Sequence, residues 1–217
     1  MYRFVAAALA AVLSPSLAQA APQLSPYAEI AGGWSGAGRL EARGVDSVLG
    51  PLAVRETTRS GWMAGALAGA RIGDSPVSVE AEAVYVRNRI SSPDLDAAFG
   101  VPLNLRATAA GALANLKLSA PAVSMGPGLR LIPYAVAGAG YGRNGVGILG
   151  DTYAGHGGMW QAKAGLELAG AGPFSLDLAY RFLRLPSFDT DKLGLKADMR
   201  THVQAVTLGV VYRFRAP

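Results

Sequence analysis

Two stretches hold residue types whose spacing could do chemistry. Gly140-Tyr-Gly142-Arg-Asn-Gly145 satisfies G-x-G-x-x-G and follows the apolar run Leu131–Val136, the order of a strand entering a dinucleotide-binding turn. Glu80 and Glu82 stand two apart, which puts both carboxylates on one face of a strand, where paired acids can do acid–base work. The chain adds two histidines, His156 and His202, and no cysteine. Neither His has a Cys, His or Asp cluster at metal-ligand spacing, so no metal site is expected, and thiol chemistry is impossible. A Ser–His hydrolase would have to draw on Ser187 and His202, yet no G-x-S-x-G elbow accompanies them.

Each possibility depends on the element that presents it. A dinucleotide turn delivers the pyrophosphate to the N-terminus of a helix that follows at once. After Gly145 comes Val-Gly-Ile-Leu-Gly-Asp-Thr-Tyr-Ala-Gly-His-Gly-Gly158, which has no helical period. With 28 glycines in 217 residues, three-glycine patterns arise by chance. Gly138, Gly140 and Gly142 instead recur at every second residue, marking one strand face with no room for side chains. No cofactor is expected.

The carrying elements are strands. In Phe174–Phe182 the residues Phe174, Leu176, Leu178, Tyr180 and Phe182 alternate with Ser175, Asp177, Ala179 and Arg181. Trp160–Leu168 and Val77–Arg87 alternate in the same way, with weaker copies at 27–35, 61–72, 107–119, 130–142 and 203–214. These are eight segments, each about as long as a tilted strand needs to cross a bilayer. The links at 73–76 and 169–173 are short and 120–127 is somewhat longer, while 36–59, 88–105, 143–158 and 184–200 are long. Such alternation fits an antiparallel barrel with tight turns at one end and surface loops at the other.

A soluble barrel would alternate too, with its faces reversed. Here the polar face is thin in charge and rich in small residues (Gly33, Gly65, Gly69, Gly111, Gly138, Gly165, Gly209), as the inside of a narrow eight-stranded barrel requires. The apolar face carries Trp34, Trp62, Tyr85, Trp160, Phe174, Tyr180, Phe182, Tyr212 and Phe214 near strand ends, the places of an aromatic girdle. Charged residues are only 16% of the chain and mean hydropathy is +0.25, so apolar surface must go somewhere other than water. The fold class is therefore all-β, an eight-stranded antiparallel up-and-down transmembrane β-barrel.

At the N-terminus, Arg3, the apolar run Val5–Leu13, the break Ser14-Pro-Ser16 and Ala18-Gln-Ala20 form the three-part pattern of a secretory signal peptide. Residues 1–20 are expected to be removed on export, leaving 21–217 as the barrel domain. A formal charge of +5 with mixed signs in the loops is no nucleic-acid footprint.

Arg130-Leu-Ile-Pro-Tyr-Ala-Val-Ala-Gly-Ala-Gly140, Gly111-Ala-Leu-Ala-Asn115, Leu176-Asp-Leu-Ala-Tyr-Arg-Phe182 and the ending Thr207-Leu-Gly-Val-Val-Tyr-Arg-Phe214 resemble the strands of the small eight-stranded outer-membrane β-barrel family. That family includes bacterial surface antigens and the membrane domain of OmpA. The resemblance covers nearly all of 21–217 and implies outer-membrane location, with lipid and lipopolysaccharide as surroundings and the barrel-assembly machinery as a partner during insertion. Its members usually end on the final aromatic, whereas Arg215-Ala-Pro217 follows Phe214 here.

On polar parity the lumen would hold Glu29, Glu80, Glu82, Glu167 and Asp177 against Arg71, Lys117, Arg130, Lys163, Arg181 and Arg213. Charges buried in a narrow barrel must pair, so a structural plug is the expectation for this set, Glu80 and Glu82 included. The functional expectation is a non-enzymatic envelope protein that meets a host or surface ligand through its long loops. A narrow solute channel and a lipid A-modifying enzyme are the alternatives.

Overall fold

The computed structural model describes residues 23–36, 39–46, 50–58, 60–91, 105–148, 151–186, 188–189 and 195–214. The expected signal segment 1–20 and Ser187 lie outside them.

Eight strands form the barrel: β1 (Leu24–Gly36), β4 (Gly61–Ile72), β5 (Val77–Ser91), β6 (Leu105–Ser119), β8 (Leu129–Ile148), β9 (Asp151–Ala169), β10 (Phe174–Arg184) and β12 (Leu195–Arg213). Each pairs antiparallel with its neighbour, and β1 closes on β12 from Tyr27↔Arg213 to Gly36↔Gln204. Closure removes the unpaired edges that an open sheet would present to lipid. The alternation fixes which side faces in. Buried residues such as Glu29, Glu82, Lys163 and Arg181 share one parity, while Ile30, Leu116, Leu178 and Leu208 stand exposed on the other.

Phe174 to Phe182 is the outward apolar face of β10, about 27 Å along the strand at ~3.3 Å per residue. Tilted by about 40°, this covers roughly 20 Å of membrane normal, close to the ~25 Å apolar band of outer-membrane barrels.

The short turns gather at one rim. Gly73 takes φ 52° in the turn 73–76, a conformation that a Cβ would strain. Around this rim the ladder continues through proline carbonyls: Ser119 N–H donates to Pro76 O (2.9 Å), Ala120 to Pro133 (2.8 Å), Arg213 to Pro173 (2.9 Å) and Phe214 to Pro26 (3.1 Å). Proline has no N–H to leave unpaired, so it suits the last rung of a sheet. The link between β6 and β8 carries a further short strand, β7 (Val123–Gly126), folded back on β8.

The opposite end differs from the expectation of four long loops at three of them; of the fourth, 88–105, residues 92–104 lie outside the described residues. Segment 36–59 is largely a hairpin of β2 (Arg39–Asp46) and β3 (Gly50–Thr58). Its register, Arg39↔Thr57, is that of β1 and β4, Ser35↔Gly61, so the hairpin keeps the alignment of the two barrel strands. β2 then pairs with β12 (Thr201↔Leu40 to Leu195↔Asp46) and β3 with β5. Segment 143–158 is strand as well, with only 149–150 between β8 and β9. β11 (Phe188–Asp189) pairs with β12 inside 184–200. Beyond the bilayer neither face of a strand meets lipid, so the apolar–polar alternation that marks a spanning strand is not required there. These extensions consequently read as loops.

The glycine column on β8 packs against the neighbouring strand. A Cβ at Gly140 would strike the backbone carbonyl of Ala112, and one at Gly138 would strike Asn115 Oδ1. Gly158 has open space around it. Gly140→Ala is expected to cost about 1–3 kcal/mol by overpacking. Gly158→Ala should be near neutral, and both effects are measurable by urea unfolding from vesicles.

Candidate functional site: a filled lumen

The polar residues of the lumen converge on Glu82. Its Oε2 accepts from Gln161 Nε2 (2.6 Å) and Asn115 Nδ2 (2.8 Å), while Arg181 Nη1 lies 2.6 Å from Oε1. That Arg181 contact is an ion pair off the hydrogen-bond direction. Nη1 and Nε thus have no hydrogen-bond partner among the described residues. Gln161 Nε2 also reaches Asn115 Oδ1 at 2.8 Å, tying β5, β6, β9 and β10 together across the interior. Arg181 and Gln161 are each 1% exposed, so the network is sealed from bulk water.

Below this centre, toward the short turns, Tyr27 Oη donates to Glu80 Oε1 (2.6 Å) and Tyr134 Oη to Asp177 Oδ1 (2.8 Å). Lys163 pairs with Glu29 at 3.7 Å and Lys117 with Glu167 at 3.4 Å. Lys117 Nζ also sits 4.3 Å from the Tyr134 ring centroid and 5.4 Å from that of Tyr27, where the ring faces attract a cation. Arg213 closes the rim, bonded to Glu167 and, at 2.5 Å, to Ser175 Oγ.

Two residues expected in this network are outside it. Arg71 is exposed and donates to the turn carbonyls of Ser75 (2.9 Å) and Asp74 (3.2 Å). Arg130 is exposed at the start of β8. Both have inward parity, but they lie beside a short turn, where inward means the open rim and not the lumen.

Toward the long hairpins the lumen carries an apolar layer, which the reading of a polar inner face did not anticipate. Met63, Val84, Val86, Ala109, Leu113, Met159, Leu183, Leu185, Val203 and Ala205 form one buried cluster. On each strand they lie nearer the long hairpins than the charges do. Parity carried the signal: Val84 and Val86 continue the face of Glu80 and Glu82, and Tyr27 shares the parity of Glu29. Ser35 Oγ bonds to Asn88, and Asn144 Nδ2 donates to Pro186 O (3.2 Å).

The two carboxylates that suggested catalysis are already engaged. Glu80 and Glu82 both take part in the network. His156 is exposed on β9 opposite Arg143, whereas His202 on β12 stacks on Phe182 at 5.4 Å, with β10 between the two histidine strands.

All nine aromatics named from the sequence point outward, in two groups. Phe174, Tyr212 and Phe214 cluster at the short-turn end, with centroids 5.1 and 4.9 Å apart. Toward the other end Trp62 packs on Tyr85 and Trp160 on Phe182, each at 5.3 Å. Trp34 faces Trp62 in register, and Tyr180 Oη donates to Gln204 Oε1 at 2.9 Å. Tyr141, exposed on the same side of the wall, belongs with them, although the glycine pattern around it masks it in the sequence.

Residues 4–214 match the family described as outer membrane protein beta-barrel domain. Among solved structures, the chain is similar to Neisserial surface protein A, at 17% identity and TM-score 0.51, over 88% of this chain and 99% of that one. It is also similar to a major outer membrane protein of Thermus thermophilus, at 11% identity and TM-score 0.52, over 88% and 100%. Comparison with curated protein sequences gives no match.

Removing one partner from the lumen centre leaves a buried charge uncompensated. Arg181→Met and Glu82→Gln are each expected to cost about 3–5 kcal/mol. The double variant should cost less than the sum, with the coupling read from a double-mutant cycle of urea unfolding.

Proposed function

The chain belongs to the outer membrane protein β-barrel family and resides in the bacterial outer membrane, and from that premise we propose that it is a non-enzymatic surface scaffold. The observation that carries this reading is the filled lumen, a paired charge network under an apolar cluster with the wall continuing beyond both as hairpins. A barrel whose interior is occupied by its own side chains offers no path to a solute. What it offers instead is a rigid base for segments held above the membrane, where binding residues commonly sit.

On this reading residues 1–20 direct export and the assembly machinery inserts the barrel. The hairpins, β2–β3 foremost, meet a host or surface ligand. The carboxylates support stability, since each described one in the lumen is bonded to a lysine, arginine, tyrosine or amide. The channel reading loses support from the apolar cluster, because a hydrophobic layer across a narrow barrel excludes ions as well as water.

Two measurements test the proposal. Full-length protein in a planar bilayer is expected to show no discrete conductance, and steady single-channel steps would sink the scaffold reading. Leu40 and Glu56 are directly opposite, so replacing 41–55 with Asn-Gly shortens the hairpin while keeping its register. Cells displaying this variant should keep the folded barrel but adhere less to immobilised extracellular-matrix protein. Equal adherence of both chains would remove the hairpin from the account.

A further inference from the structure

At the hairpin end the chain leaving β10 does not simply continue the ladder it has built. β10 last pairs with β12 at Arg184↔His202, and β11 resumes at Phe188↔Met199. Three residues, 185–187, thus stand opposite two, 200–201, which is the count of a β-bulge. β10 also parts from β9 at Arg184↔Trp160, while β9 runs on to Asp151. A bulge bends its strand and re-aims its side chains. Here the two residues that open it, Leu185 and Pro186, are both buried.

Leu185 joins the apolar layer in the same cluster as Leu183, Met63 and Val203. Pro186 lies one step further, in a recess on the inner side of β8 and β9. The inward positions there are Gly142, Asn144, Gly155 and Gly157, so only one of four carries a side chain. A Cβ on Gly157 would come within 3.3 Å of Pro186 Cβ, tighter than ordinary contact. Proline brings no N–H into this recess, only a carbonyl. Asn144, 1% exposed, donates its Nδ2 to that carbonyl at 3.2 Å. Removing either member leaves the other a buried polar group beside the apolar layer, which is costly.

We propose that Leu185–Pro186 is a latch, seated in the recess beside Gly157 and fastened by Asn144, that closes the outer mouth of the lumen and fixes the strands above it. β11 begins two residues beyond Pro186, and opposite the bulge β12 turns to β2 from Thr201↔Leu40 onward. The bulge therefore sits at the step from membrane barrel to surface hairpins, and its extra residue sets the register of β11 on β12. This rests on the scaffold reading, for which it supplies the part that holds the surface strands at one height and register. Unfastened, the same segment would leave Met63, Leu183 and Val203 open to water, so the latch and the apolar layer stabilise each other.

The test is amide hydrogen exchange on the folded full-length chain in detergent micelles, read by mass spectrometry over Phe188–Asp189 and Leu195–Thr201. These amides are expected to exchange slowly in the parent chain. Asn144→Leu removes the donor and Gly157→Val fills the recess. Both should speed exchange there by about tenfold or more, the order that an unpaired buried carbonyl implies for local opening. Peptides from Phe174–Leu183 should stay as protected as in the parent. Ser35→Ala cuts the bond to Asn88 elsewhere in the mouth and should leave the same amides unchanged. Exchange already complete in the parent at the earliest time would overturn the latch, and so would unchanged rates in either variant. A rise shared equally by Phe174–Leu183, or matched by Ser35→Ala, would overturn it too, since the residues would then support the barrel as a whole. Should either variant not fold, the milder Gly157→Ala, which places a Cβ against Pro186, gives the same decision. These rates depend on neither a surface ligand nor conductance, so the latch and the scaffold reading fail separately.

Discussion

A closed sheet of eight strands has an interior just wide enough for side chains to fill, and in this barrel they fill it. Most other features of this barrel answer to that constraint. Small residues are needed where strands approach closely, as at Gly138 and Gly140 against Asn115 and Ala112. Charged residues that point inward must meet inside, because nothing else there can solvate them. Glu82 therefore receives two amides and a guanidinium, and Glu29 and Glu167 each receive a lysine. The result is a crosslink between strands far apart in the chain. Charge pairs of this kind add geometric definition even where their net stabilisation is small.

The interior is divided along the axis, and the exterior is divided in the same sense. Toward the short turns the lumen is charged and the outward wall ends in Phe174, Tyr212 and Phe214. Toward the hairpins the lumen passes through an apolar layer to Ser35, Asn88 and Asn144, and the wall passes from aromatics to arginines. A protein with the same environment at both ends would need no such polarity. The two leaflets of an outer membrane differ, and the barrel's two ends differ with them.

Much of this was legible in the sequence, for a physical reason. A spanning strand must satisfy lipid on one side and the lumen on the other, so period two is imposed residue by residue, and Phe174–Phe182 shows it without a break. Strand count and the inward set Glu29, Glu80, Glu82, Lys117, Lys163, Glu167, Asp177 and Arg181 follow from parity, and closure follows from the alternating link lengths and the small residues of the polar face. Parity does not report height. Arg71 and Arg130 have the right face but sit at the rim, and Val84 and Met159 have the polar face yet build the apolar layer. The extensions 39–58 and 143–158 were hidden because strands above the bilayer have no lipid side to reveal them. Two glycines of the G-x-G-x-x-G match, Gly140 and Gly142, have a structural cause, which is close approach of β8 to β6.

The central claim is that the lumen is filled and dry. Because the chain has no cysteine, single cysteines placed at Ala179 and Ala205, both 2% exposed, report access directly. With the folded protein in vesicles, a small charged thiol reagent applied to both faces is expected to leave Ala179→Cys and Ala205→Cys unmodified. Ala120→Cys at the exposed rim should react at once. Modification of the two lumen cysteines at rates approaching that of the rim control would mean an open, hydrated path, and would contradict the account.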